Sequence, residues 1–163
     1  MFRVGILTVS DKGAQGVRQD LSAAEIRQQL PATRYRVEAY ALVPDELEAI
    51  VVRLVEWSDQ QHLDLILTTG GTGVSPRDLT PEATQAVVDR SVPGLAEAMR
   101  AASLDFTPHA MLSRAQAGIR GQTLIINLPG SPRAVRENLA VVLPALPHAL
   151  EKIQGRAAEC GSP

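Results

Sequence analysis

Short apolar runs alternate with amphipathic stretches along the chain. Residues 4–9 (VGILTV) are apolar throughout and end in Ser10-Asp11 and the glycines Gly13 and Gly16, which predicts a buried strand running into a loop. Ser22 and Glu25 have the spacing of a capping box, so a short helix is expected from there to Leu30. Residues 34–43 (RYRVEAYALV) alternate as a strand with one wet face does, until Pro44. Asp45, three residues before Glu48, suits a helix cap, and Ile50, Leu54 and Trp57 mark the apolar stripe of the helix that follows. Residues 63–69 (LDLILTT) predict a central strand. Thr80-Pro81-Glu82 supplies a capping hydroxyl, a first-turn proline and an acid near the positive end of a helix. Pro93-Gly94 precedes a further helix over about 95–104, residues 123–128 (TLIINL) read as a strand, and Ser131-Pro132 opens a last helix that Pro144 divides.

Strands alternating with helices predict an α/β fold with a mostly parallel sheet covered on both faces. Ligands in such folds bind outside the carboxyl ends of the strands. The unusual residues fall there: Ser10-Asp11, Pro44-Asp45, the run Gly70-Gly71-Thr72-Gly73, and Pro129-Gly130-Ser131. Four loops from distant parts of the chain would thus share one rim. Successive glycines let backbone amides approach an anion, although the run matches neither GxxxxGK[ST] nor GxGxxG and is equally suited to a tight turn. Asp45 and Asp78 form a carboxylate pair of the kind that holds Mg²⁺, with a plain N-cap as the alternative for Asp45. Arg114 and Arg120 are candidates for clamping phosphate or carboxylate groups, or else surface charges.

The chain has 163 residues, a length that suits one domain at roughly 150 residues each. With 16 basic and 18 acidic residues the net charge is -2, which argues against nucleic acid or an anionic membrane as a partner held by a general positive field. No apolar run approaches the roughly 18 residues of a membrane span. The one cysteine, Cys160, excludes an internal disulfide and fits a reducing, cytoplasmic setting. The histidines His62, His109 and His148 are too scattered to suggest a metal centre, and no histidine accompanies Ser10 as a serine hydrolase would need.

Together the motifs resemble one family. ILTVSD (6–11), VPDE (43–46), TTGGTG and RDLTPEAT (within 68–84), PGLAEAMR (93–100) and AMLSRAQAGIRGQTLIINLPGSP (110–132) look like the molybdopterin adenylyltransferases. These are the MogA-type bacterial enzymes and the G domains of gephyrin and its plant counterpart. They are relatives of the MoaB-type proteins, from which the stretch at 77–84 separates this chain. The resemblance implies a three-layer α/β/α domain over 1–155 with a flexible tail at 156–163. It implies Mg²⁺-dependent transfer of AMP from ATP to the terminal phosphate of molybdopterin, releasing pyrophosphate, in molybdenum cofactor biosynthesis. The catalytic and metal-holding acids then fall on Asp45 and Asp78. Substrate and nucleotide contacts fall on Ser10, Asp11, Gly70, Gly71, Thr72, Gly73, Ser103, Ser113, Arg114, Pro129, Gly130 and Ser131. A homotrimer and a transient contact with the molybdenum-insertion protein are also implied. The helix after Pro93, with Leu95, Ala98, Met99, Ala102, Leu104 and Phe106, is the candidate trimer surface, unless it packs on its own core. Many members carry Asp-x-Ser-Gly where this chain has Asp20-Leu21-Ser22-Ala23. A non-catalytic, MoaB-like molybdopterin-binding or scaffold domain is the alternative reading. A dehydrogenase is disfavoured by the missing GxGxxG.

Overall fold

The computed structural model describes residues 1–17 and 19–156. Residues 157–163, including Cys160 and all but the first residue of the expected tail, lie outside that range. Six strands form one sheet: β1 (Phe2–Val9), β2 (Tyr35–Val43), β3 (Leu65–Thr69), β4 (Arg90–Ser91), β5 (Ala117–Arg120) and β6 (Thr123–Leu128), in the order β2-β1-β3-β6-β5-β4. The β2-β1-β3-β6 half is parallel, while β5 pairs antiparallel with β6 and β4 with β5. The helices are α1 (Asp11–Ala14), α2 (Leu21–Gln29), α3 (Leu47–Val55), α4 (Thr80–Val87), α5 (Pro93–Ser103), α6 (Pro132–Val142) and α7 (Leu146–Ile153).

Two apolar layers follow from the alternation of side chains along the strands. Val4, Ile6, Leu65, Leu67, Leu124 and Ile126 face Ile26 of α2, Met99 of α5, Leu139 of α6 and Leu150 of α7. Leu7, Val9, Ile66 and Ile125 face Ile50 and Leu54 of α3, Trp57, and Val87 of α4. The result is the three-layer α/β/α arrangement expected from the sequence. Gly5 makes room for the second layer, because a Cβ there would lie 2.6 Å from the Trp57 ring.

Several differences from the predicted elements share one cause: hydroxyls and carboxylates read as local caps bond to other segments instead. Asp20, not Ser22, caps α2, accepting the Ala23 amide at 2.9 Å, and the Ser22 hydroxyl donates to the Gly130 carbonyl at 2.7 Å. No capping box forms, since Glu25 pairs with Arg136. Position 23 is helical, so alanine suits it better than glycine. The Thr80 hydroxyl donates to Gly70 O at 2.9 Å rather than capping α4. The hairpin of β5 and β6 turns on Gly121-Gln122, with Gly121 at φ 56°, and makes this half of the sheet antiparallel. Met99 is a core residue, 2% exposed, so it cannot be part of an exposed stripe on α5. The exposed apolar side chains lie further on, at Leu104, Phe106, Met111 and Leu112. Among the described residues no helix is long and apolar enough to cross a membrane.

Candidate active site

Because β2, β1, β3 and β6 run parallel, their carboxyl ends share one edge of the sheet. The chain leaves β1 for β2 on one side and returns to β3 on the other, so the strand order reverses between β1 and β3 and opens a crevice there. A cleft of ≈ 340 Å³ occupies this position. It is lined by Thr8 at the end of β1 and Ser10 after it, Asp45 after β2, Thr69 at the end of β3 with Gly70 and Gly71 after it, Asp78, and Gly130 and Ser131 after β6.

The loops are held by bonds that leave several amides unused. Gly70 and Gly71 have φ of 96° and 65°, the left-handed region in which a side chain is strained. A Cβ on Gly71 would also collide with the Thr80 hydroxyl, and one on Gly70 with the Val9 carbonyl. Thr80 N donates to Gly71 O, and the Thr69 hydroxyl donates to Pro129 O at 2.7 Å. Ser131 accepts the Ala134 amide at 3.2 Å and caps α6, whose first turn therefore faces the cleft. The amides of Gly71, Gly130 and Ser131 make no hydrogen bond among the described residues. Unpaired amides at glycine turns, next to a helix N-terminus, are suited to an anion.

The acids are arranged differently from the predicted cap. Asp45 Oδ2 accepts the Asp11 amide at 2.8 Å, and Asp11 Oδ1 accepts the Asp45 amide at 3.0 Å. Glu46, not Asp45, sits at the cap of α3, and it makes no side-chain cap bond. Asp78 Oδ2 accepts the Ser75 amide at 2.8 Å and lies under Gly73, where a Cβ would meet it at 2.9 Å. Neither Asp45 nor Asp78 forms an ion pair among the described residues, although the Arg77 charge acts on Asp45 from a distance, and the Oδ1 of each accepts no hydrogen bond. Burial, with the charges of Asp11 and Asp78 adding to it, raises the Asp45 carboxyl above its ordinary value. The third carboxylate of the cleft, Asp20, is saturated by Thr8, Tyr40 and the Ala23 amide, and burial together with Asp20 pushes the Tyr40 hydroxyl up to about 12.

The guanidinium groups are engaged elsewhere. Arg114 donates to Gly73 O at 2.7 Å and Asp78 O at 2.5 Å and pairs with Glu82, while its amide bonds Thr72 O. It thus braces the glycine loop, a structural role that its motif alone did not indicate. Arg120 is bound to Asp59 and Val87 O, likewise not free to clamp a phosphate. Arg77 forms a two-pronged pair with Asp11, both distances 2.7 Å, which lowers the Asp11 carboxyl.

Of the residues singled out in the sequence, Ser10, Asp45, Gly70, Gly71, Asp78, Gly130 and Ser131 line the cleft. Asp11, Thr72, Gly73 and Pro129 stand directly behind that lining, on the same loops. Ser103 and Ser113 do not line it: Ser103 accepts a bond from Asn138 on α6, and Ser113 lies after the short helical turn Pro108–Leu112. Thr8, Gln19, Asp20, Ser22 and Thr69 were not foreseen as lining residues. For Thr8 and Thr69 a signal existed, a hydroxyl at the last turns of otherwise apolar strands.

The fold agrees with the comparisons with known proteins. Residues 5–148 match the model of a family described as a probable molybdopterin binding domain. The chain belongs to this family. Among its relatives, the molybdopterin adenylyltransferase of Helicobacter pylori is 43% identical over 158 residues, covering 94% of this chain and 89% of that protein. Gephyrin of Dictyostelium discoideum is 49% identical over 94% of this chain, which spans only 23% of gephyrin's length. The crystal structure of the molybdopterin biosynthesis enzyme MoaB from Thermus thermophilus superimposes with a TM-score of 0.91 at 58% identity, covering 98% of this chain and all of that one. The family thus includes proteins named as adenylyltransferases and structures named MoaB, both similar to this chain over nearly its full length.

Proposed function

We propose that this chain is a molybdopterin adenylyltransferase of molybdenum cofactor biosynthesis. The observation that carries the reading is the pair of carboxylates without an ion-pair partner among the described residues, Asp45 and Asp78, facing a cleft rimmed by unpaired amides. Like charges so placed are unfavourable alone, and burial makes Asp45 more so. A hard divalent cation relieves that, and Mg²⁺, which prefers oxygen donors and keeps several waters, fits two carboxylates better than a metal needing four protein ligands. When bound, it would neutralise charge on the reacting phosphates. Cytoplasmic location belongs to the same reading.

The chemistry asks little of the protein beyond positioning. A terminal phosphate oxygen of molybdopterin is already an anion at neutral pH, so it needs no general base. It attacks the α-phosphorus of ATP, a P–O bond forms, and the bond from the α-phosphorus to the bridging oxygen breaks. Pyrophosphate leaves with the electron pair. Amides of Gly71, Gly130 and Ser131 and the first turn of α6 would hold the two anions in line and absorb charge as it shifts. The exposed Leu104, Phe106, Met111 and Leu112 supply an apolar surface for the proposed homotrimer, for which light scattering should give three chain masses. Transient contact with a molybdenum-insertion protein belongs to this reading too.

The second reading is a MoaB-like protein that binds molybdopterin without adenylylating it; the 58% identity to the Thermus thermophilus structure named MoaB supports the MoaB likeness only. One assay separates the two. With ATP, Mg²⁺ and molybdopterin, the adenylyltransferase releases pyrophosphate and yields an adenylylated pterin, whereas a binder gives neither and retains the pterin.

A further inference from the structure

Among the described residues three carboxylates, those of Asp20, Asp45 and Asp78, line the cleft, and no arginine, lysine or histidine does. A polyphosphate entering there meets a negative wall, which a metal on Asp45 and Asp78 offsets only in part. Most guanidiniums around the rim are committed. Arg114 is consumed by two carbonyls and Glu82, Arg136 by Glu25, and Arg133 by Glu137 on its own helix. Arg77 differs in place and in partner. It precedes Asp78, is 57% exposed at the side chain, and holds only the Asp11 carboxylate, itself 34% exposed. Asp11 in turn exchanges two amide-to-carboxylate bonds with Asp45 and follows Ser10, so the pair spans the mouth between the loop after β1 and the loop after the glycine run. A carboxylate presents Arg77 with two oxygens at 2.7 Å, the same fork that a phosphate presents.

We infer that Arg77 is a phosphate-contacting residue, parked on Asp11 while the cleft is empty, that exchanges the carboxylate for the β- and γ-phosphates of the nucleotide and for the pyrophosphate they become. The inference rests on the adenylyltransferase reading and adds to it the group that receives the leaving pyrophosphate. The exchange is cheap because the pair is solvated, so little is lost on opening it. Arginine rather than lysine suits the position, since only the planar fork matches both partners in two-pronged geometry. Asp11 then competes with the ligand for the guanidinium, and this gives the two partners opposite roles.

The test is titration of the full chain with inorganic pyrophosphate, with and without Mg²⁺, alongside turnover with ATP and molybdopterin. Arg77→Ala should weaken pyrophosphate binding about ten- to hundredfold, the range of one charge-assisted contact. Arg77→Lys should fall between that and wild type, and Asp11→Asn should tighten binding severalfold by releasing the guanidinium. Thermal melts confirm that each variant is folded. If Arg77→Ala and Asp11→Asn shift binding in the same direction, or neither shifts it, the pair is structural and the inference is overturned. If the wild-type chain turns over normally while Arg77→Ala binds pyrophosphate as tightly, only this inference fails. If the wild-type chain neither binds pyrophosphate nor releases it, the adenylyltransferase reading falls and takes this inference with it.

Discussion

The two ends of the parallel strands differ in whether any cleft-facing acid is left without an ion pair. At the amino-terminal end, Asp59 is paired with Arg120, Glu38 with Arg3 and Arg36, and Asp64 accepts the Arg3 amide at 2.6 Å and a bond from Gln154. Guanidinium partners hold the Asp59 and Glu38 carboxyls below their ordinary values. At the carboxyl-terminal end, Asp45 and Asp78 have no such partner, and burial pushes Asp45 the other way. Both ends contain acids from several loops, and at both some are paired, as Asp11 is with Arg77, so the presence of acids does not distinguish them. The unpaired, cleft-facing Asp45 and Asp78 do. A paired carboxylate is finished business structurally, whereas an unpaired one facing a cleft stores a demand for a cation that a substrate complex can meet.

The strongest way to break this comparison is to remove the unpaired charges. We expect Asp78→Asn and Asp45→Asn each to lower adenylyl transfer by at least about a hundredfold, the loss typical of one electrostatic group at a reacting phosphate. Their stabilities should not fall with activity. An acid whose folded pKa is raised contributes stability below its ordinary value, 3.8 for Asp45, and loses it as pH rises through the raised value. At pH 7 the ionised Asp45 is therefore a net cost, and asparagine can still accept the Asp11 amide. Melting of Asp45→Asn at pH 7 should occur at or above the wild-type temperature. A variant that is both inactive and clearly less stable would place Asp45 among the structural acids.

The sharper contrast lies in pH dependence, with Glu25 as the paired example. Its carboxyl is held down to about 2 by Arg136 first and Gln29 second, joining α2 to α6 beside the cleft but outside it. The sign is the reverse of that for Asp45: the stability Glu25 supplies is complete above its ordinary value of 4.5 and is lost as pH falls from there through about 2. Glu25→Gln should therefore flatten the acid limb of a stability-against-pH curve while leaving adenylyl transfer near wild type at neutral pH. An unchanged acid limb would show that the pair does not act on stability.

Much of this was legible in the sequence because it depends on strand order and turn chemistry. Residues 123–128 appear as β6 with the predicted bounds, Pro144 separates α6 from α7, and the run at 70–73 ends a central strand. The convergence of Ser10, Asp45, Gly70, Gly71, Gly130 and Ser131 on one cleft follows from parallel strands alone. What sequence spacing could not supply is the partner of a polar group when that partner is distant. Ser22 and Thr80 fit local caps by spacing yet bond to Gly130 and Gly70, 108 and 10 residues away. Arg114 sits in a motif that suggests ligand contact, but its partners are carbonyls 41 and 36 residues earlier. Met99 looked surplus because the amount of apolar surface that α6 would cover is not written in the α5 segment itself.

The smallest effect should come from the far end of the sheet, and its smallness is the point. Asp59 meets Arg120 through two bonds of 2.9 and 2.5 Å, yet its side chain is 44% exposed. Exposed pairs are screened by water and constrained by side-chain entropy, so the net contribution is below about 1 kcal/mol. Arg120 retains the Val87 carbonyl at 2.8 Å when Asp59 is neutralised, so no buried donor is orphaned. Asp59→Asn should thus shift denaturant midpoints only slightly, by an amount that shrinks further in high salt. Its kcat and KM should match wild type, in contrast with the isosteric change at Asp78. If Asp59→Asn instead slowed adenylyl transfer as Asp78→Asn does, charge pairing would not be what separates structural from functional acids in this fold, and the assignment of the cleft would have to rest on its amides alone.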